Sequence, residues 1–386
     1  MSLKGILWSS YLGPSPPLPY DVIFNIIEEG KITGSIGAHR YLLSTCSPVF
    51  CTEFFGLLAD RGRVIDIKET RFHAFRYLVD YIYGINRKLE IDKEAQELFE
   101  ILNIAERYDV QKLKENMIEQ LNDMQICAKN VMEVARVAEV YYHFNTVSDS
   151  ILSSCSKLLK KLLATDAELT EFCNRELQSD IDRKLVIDLI RMEDDLELKH
   201  DVRDSTQELP RNKEPQEKGP DKEAPPANLT EVNWVELRDP NNGIPPDVCF
   251  KIIEPSREVL KEETKIVGEV LAHKYLLAAC SESFKRMFFD CYEPRPSPSH
   301  LIETIQLECS SLNAFKVMIN YIYGKYPTLR GAEEICELFE IVDLAERFTI
   351  SGLEEEYKTA MFLYFREAEM NNSAKGKICI ITSLSV

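Results

Sequence analysis

At 386 residues and 45% hydrophobic side chains, the chain is long enough for two or three domains that each bury a core. A formal charge of −18 excludes a general affinity for nucleic acid, whose phosphates reward positive patches, and no apolar run is long enough to span a membrane. Eleven singly scattered cysteines, behind a Met1–Trp8 start that does not read as a secretory signal, predict an intracellular chain with free thiols, cytoplasmic, nuclear or both.

Residues 1–20 form an extension ending in the Pro-rich stretch Pro14 to Pro19. Val22 to Ile27 then reads as a mostly buried strand, ended by the polar turn Glu28 to Lys31. His39 to Thr45 predicts a short helix that turns Leu42, Leu43 and Cys46 inward. Ser47-Pro48 suits the start of the next helix, because proline at the first helical position forfeits no hydrogen bond. Phe50, Phe54 and Leu58 fall on its apolar face at four-residue spacing. Val64 to Ile67 is a second strand. A helix after Thr70 carries Phe75, Leu78, Val79 and Ile82 on one stripe, and Gly84 stops it in a left-handed cap. Two more helices follow, Ala95 to Tyr108 and one holding Leu113, Met117 and Leu121.

Residues 124–192 read as helices only, with Val131, Val134, Ala135 and Ala138 on one face and further segments at Ile151–Leu163, Leu169–Leu177 and Leu185–Met192. Residues 193–230 are rich in acids and poor in apolar side chains, which predicts a flexible tether that cannot recover its ordering entropy by burial. Val232 to Leu237 reads as a short strand. A second series then repeats the first: a strand at Val248–Ile253, a helix at His273, a helix from Ser281 to Phe289, a strand at Leu301–Leu307 and a helix from Ser311 that ends at Gly324. Glu354 to Phe365 continues a last helix, which Asn371 to Lys377 is expected to break within a short tail, residues 363–386.

The repetition is literal in places. Ala38-His39-Arg40-Tyr41-Leu42-Leu43 returns as Ala272-His273-Lys274-Tyr275-Leu276-Leu277, 234 residues on. Tyr81-Ile82-Tyr83-Gly84 returns as Tyr321-Ile322-Tyr323-Gly324, and Ala105-Glu106-Arg107-Tyr108 as Ala345-Glu346-Arg347-Phe348, both 240 residues on. A period this long means a duplicated domain, not a solenoid.

With Asp21 and Asp247 ahead of the His motifs and Cys46-Ser47 and Cys280-Ser281 behind them, both copies resemble the BTB/POZ domain. The resemblance implies an α/β (α+β) fold with two such domains, 21–121 and 247–362, and residues 124–192 look like the all-helical BACK domain that often follows the first. It implies protein binding and no catalysis or cofactor, since many members dimerise and many dock substrates on the cullin-3 scaffold of a ubiquitin ligase. The reading is therefore a non-catalytic adaptor that brings an unidentified protein substrate to a cullin-3-type ligase. The alternative is a self-associating scaffold or transcriptional co-regulator without cullin contact.

Adaptors of this kind carry a hydrophobic-x-acid element after the Phe-rich helix. Leu58-Ala59-Asp60 occupies that place in the first copy and Cys291-Tyr292-Glu293 in the second. Phe54, Phe55 and Leu57 cannot all face inward on one turn. The candidate partner-binding residues are accordingly Phe54, Phe55, Leu57, Leu58 and Asp60, with Phe288, Phe289, Tyr292 and Glu293 as counterparts. Asp21, His39, Asp247 and His273 are assigned to the fold or a dimer surface. No Ser, Cys or carboxylate is placed to complete a nucleophilic set with either His, and the spacing of His39, Cys46 and Cys51 lacks the tight Cys pairs of a zinc site. Two homologous domains on one tether also allow intramolecular pairing in place of a homo-oligomer.

Overall fold

The computed structural model describes residues 6–13, 15–57, 59, 62–85, 95–141, 147–163, 183–189, 229–238, 244–253, 266–289, 302–309, 311–325 and 335–373. The chain divides into two compact units, one made of Val22–Thr52 and Gly62–Glu231, the other of Met1–Asp21, Glu53–Arg61 and Val232–Val386.

In the first unit, β1 (Val22–Glu28) is central, with β2 (Lys31–Ala38) antiparallel on one edge and β3 (Val64–Lys68) parallel on the other. The side chains of Val22, Phe24 and Ile26 are fully buried, as the two-residue period of a strand with one core face requires. Glu29 and Gly30 close the β1–β2 hairpin with both φ angles positive, 51° and 77°, the backbone that matches the right-handed twist of the two strands. Between β2 and β3 lie α1 (Arg40–Cys46) and α2 (Pro48–Phe55). Then come α3 (Phe72–Ile82), α4 (Ala95–Arg107), α5 (Gln111–Asp123), α6 (Val131–Val140) and α7 (Val147–Leu163), with a further helical stretch at 183–189.

The second unit repeats the plan. The order β5 (Ile266–Ala272), β4 (Val248–Ile253), β6 (Glu303–Glu308) has the same antiparallel and parallel pairings, and the hairpin register slips at the equivalent place, between Ile252 and Ile253 as between Ile26 and Ile27. The helices are α8 (Lys274–Cys280), α9 (Glu282–Phe289), α10 (Leu312–Ile322), α11 (Ile335–Arg347) and α12 (Ser351–Ser373).

The structure departs from the sequence reading in three places. Strands β2 and β5 escaped the pattern because glycines interrupt them and only their last residues reach the core. Gly34 serves packing here: a Cβ on it would stand 2.3 Å from the Phe72 ring, and one on Gly268 would stand 2.5 Å from Leu312. Val232 to Leu237 forms no strand; Val232 and Trp234 are buried in a turn that runs into a 3-10 turn at Glu236–Arg238. The end of the expected tether is packed, since Leu229 is fully buried and its N–H donates to Ile82 O at 2.9 Å. The last helix ends at Ser373, inside the stretch Asn371–Lys377. The expected helix at Leu169–Leu177, the rest of the tether and the tail beyond Ser373 lie outside the described residues.

Candidate functional site

The repeated residues converge on one arrangement in each unit. His39 precedes α1 and is fully buried; its backbone N–H donates to Tyr83 Oη at 3.0 Å, and its Nδ1 lies 2.9 Å from the same oxygen. The matching distances from His273 to Tyr323 are 3.0 and 2.7 Å. In each unit the tyrosine oxygen accepts the backbone proton and forms a second hydrogen bond with Nδ1, whose direction follows the imidazole tautomer. Tyr83 reaches this position because α3 ends there in a Schellman cap. Gly84 N–H donates to Tyr81 O and Ile85 N–H to Asp80 O, both at 2.9 Å, with Gly84 at φ +72°. Gly324, at φ +82°, does the same for α10.

Ser47 caps α2. Its hydroxyl accepts from Phe50 N–H at 3.1 Å and donates to Tyr108 O at 2.5 Å, and Ser281 makes the same pair of bonds to Phe284 N–H and Phe348 O. Below the cap, Phe50 stacks on Tyr108 at 4.3 Å, and Phe24 and Phe75 close the cluster. Phe284 on Phe348, with Phe250 and Phe315, reproduces it. The Ala-Glu-Arg motif ties helix to sheet, since Arg107 donates to Lys68 O at the end of β3 and Arg347 to Glu308 O at the end of β6. The sequence carried all these residues in its repeats, but it did not show which partner each one takes.

These contacts fix α2 and α9, whose C-terminal ends carry the candidate partner residues. Phe54 is 1% exposed and belongs to the core, so it presents no surface. Phe55 is half-buried, and Leu57 is the exposed member of the trio, with its whole side chain in solvent. Phe288 and Phe289 are half-buried, Phe288 stacking on Phe284 and Phe289 meeting Tyr275 at 4.8 Å. Leu58, Asp60, Tyr292 and Glu293 lie outside the described residues. Asp21 and Asp247 are partly buried at the starts of β1 and β4. Asp247 Oδ1 accepts from Lys274 N–H at 2.8 Å, and burial pushes its carboxyl up to about 6 against the pull of that bond and of the Lys274 charge.

Burial likewise pushes the Cys46 and Cys280 thiols up to about 12, so both are protonated packing groups at neutral pH. Among the described residues no group of three His, Cys, Asp or Glu side chains could hold a metal. A concavity of about 710 Å³ lies in the first unit between the ends of β1 and β3 and helices α4 and α6. Of the carboxylates that line it, Glu100 is engaged by Arg71 at 3.0 Å, His73 at 2.7 Å and Gln96 at 2.8 Å, which ties α3 to α4.

The BTB/POZ domain family matches residues 20–125 and 264–362. A BTB/POZ domain-containing protein of Arabidopsis thaliana is 32% identical over 142 residues, covering 36% of this chain and 40% of the relative. Human Kelch-like protein 3 is 28% identical over 107 residues, covering 28% of this chain and 17% of its own length. The chain thus spans less than half the length of these curated relatives. Among solved structures, the BTB domain of zebrafish PATZ1 is 18% identical, with a TM-score of 0.23 over 34% of this chain and 87% of that one.

Proposed function

Because the chain belongs to the BTB/POZ domain family, which matches over half of it, we propose that it is a non-catalytic interaction protein and acts as a substrate adaptor for a cullin-3-type ubiquitin ligase. In this reading residues 21–121 and 247–362 are two tandem BTB/POZ domains, residues 124–192 are a BACK-like helical region, and the first domain docks the ligase. The similarity to Kelch-like proteins supports an adaptor role at the level of the interaction module. The observation that carries the docking site is Leu57, a large apolar side chain wholly in solvent two residues beyond a capped, packed helix. Asp60, the acid of the hydrophobic-x-acid element, is its proposed companion. The adaptor supplies no reacting group; holding substrate and ligase together raises the local concentration of one at the other. Among the described residues no helix is long and apolar enough to cross a membrane.

The test is co-purification of the full chain with cullin-3, alongside Leu57→Asp and Asp60→Lys. Wild-type protein is expected to retain cullin-3 and each variant to lose at least tenfold in affinity, about 1.4 kcal/mol. A wild type that fails to bind removes the adaptor reading and leaves the self-associating scaffold, whereas binding untouched by both changes refutes the site. Phe54→Ala is unsuitable as a docking probe, because it opens a core cavity.

A further inference from the structure

The segment that leads into each repeat is packed in the unit that holds the other one. Residues 6–20 precede β1, yet they belong to the unit of β4–β6. There Trp8 and Leu18 are 2% exposed and Tyr11 is 6% exposed. The Trp8 ring lies 5.1 Å from Trp234 and 5.3 Å from Tyr11. Tyr11 Oη points at Ala279 O on α8 at 3.5 Å, and Tyr275 Oη of the same helix donates to Pro19 O at 3.2 Å. Tyr20 folds back on the segment itself, accepting from Gly13 N–H at 2.8 Å and donating to Gly13 O at 2.6 Å. Burial and the neighbouring Cys280 push the Tyr11 phenol up to about 12.

The first unit shows the converse. Leu229 and Thr230 precede β4, yet Leu229 N–H donates to Ile82 O and Thr230 stands against Gly84. Glu231 lies close enough to Cys46 and Tyr81 to raise both. Cys46 and Cys280 are equivalent residues, each closing the short helix after the motif histidine. Each repeat is therefore packed against by the segment that leads into the other.

We propose that residues 8–13 and 15–20 are an intramolecular ligand of the second repeat, seated against α8 through Tyr11 and Pro19 and against Trp234 through Trp8, so that a second copy's segment has no place there. Three buried apolar side chains and two hydrogen bonds to α8 hold it, and its tie to the chain keeps it at high effective concentration. This seating does not depend on cullin binding and is read by other measurements.

The full chain contains two tryptophans, and they are the pair in question. Wild-type protein is expected to show an exciton couplet in its circular dichroism, and Trp8→Phe and Trp234→Phe each to lose it. Trp8 alone, in the Trp234→Phe chain, is expected to be quenched by acrylamide several-fold more slowly than free tryptophan. Co-expression of the two single-tryptophan chains is expected to yield no couplet. A couplet regained on co-expression shows that the segment comes from a second copy and overturns the proposal. So does a Trp8 quenched as fast as free tryptophan, which shows the segment undocked.

Discussion

Tyr83→Phe removes one oxygen and with it two buried interactions. Tyr83 and His39 are both fully buried, so neither the His39 backbone N–H nor its Nδ1 finds water after the change. A buried polar group left unsatisfied costs about 1–3 kcal/mol, which sets the loss on the order of 2–6 kcal/mol for the two together. Against a typical domain stability of about 5–15 kcal/mol, that is a large fraction. Tyr81→Phe is the control, being the same chemical change two residues away in the same motif. Tyr81 Oη only receives a 3.4 Å bond from Asn116 at a part-buried position, so its loss should cost about 0.5–1 kcal/mol. Two units need not unfold together, so urea denaturation should be read with hydrogen exchange of the α3 amides, Phe72–Ile82. If Tyr83→Phe costs no more than Tyr81→Phe, the histidine–tyrosine pair is not a lock on the fold. Tyr323→Phe should act in the same way on α10.

Two further expectations come from single side chains. Asp247 titrates in the folded protein at about 6, above its ordinary 3.8, so the folded state holds the extra proton and stability falls as pH rises between those values. Asp247→Asn should remove that slope, its advantage over wild type growing on the order of 3 kcal/mol from pH 4 to pH 7; parallel melting profiles for the two proteins over that range would refute the cause. Gly34→Ala forces a methyl group into the Phe72 ring and should cost about 1–3 kcal/mol, whereas Gly268→Ala meets the flexible end of Leu312 and should cost less; equal melting temperatures for the two variants would contradict this.

What could be read in the sequence was whatever is written locally. Helix α3 announced itself by Phe75, Leu78, Val79 and Ile82 on one stripe and by a glycine stop, and the structure ends it at that glycine. Strands β1 and β4 stood out because most of their residues are apolar, while β2 and β5, at the sheet edges with glycines required for close packing, carried too weak a pattern. Within the candidate site, the crowding of Phe54, Phe55 and Leu57 on one turn was legible, and so was the need for one of them to be exposed. Which one depended on the direction of α2 against its surroundings, and the structure puts Leu57 outside and Phe54 inside.

The duplicated fold thus belongs to the sequence, because hydrophobic period, caps and motif spacing are properties of neighbouring residues. The pairing of His39 with Tyr83, 44 residues away, was decided only by the tertiary structure, as was the seating of Trp8 against Trp234. Contacts between distant residues leave no period along the chain, and packing alone selects which buried donor meets which acceptor.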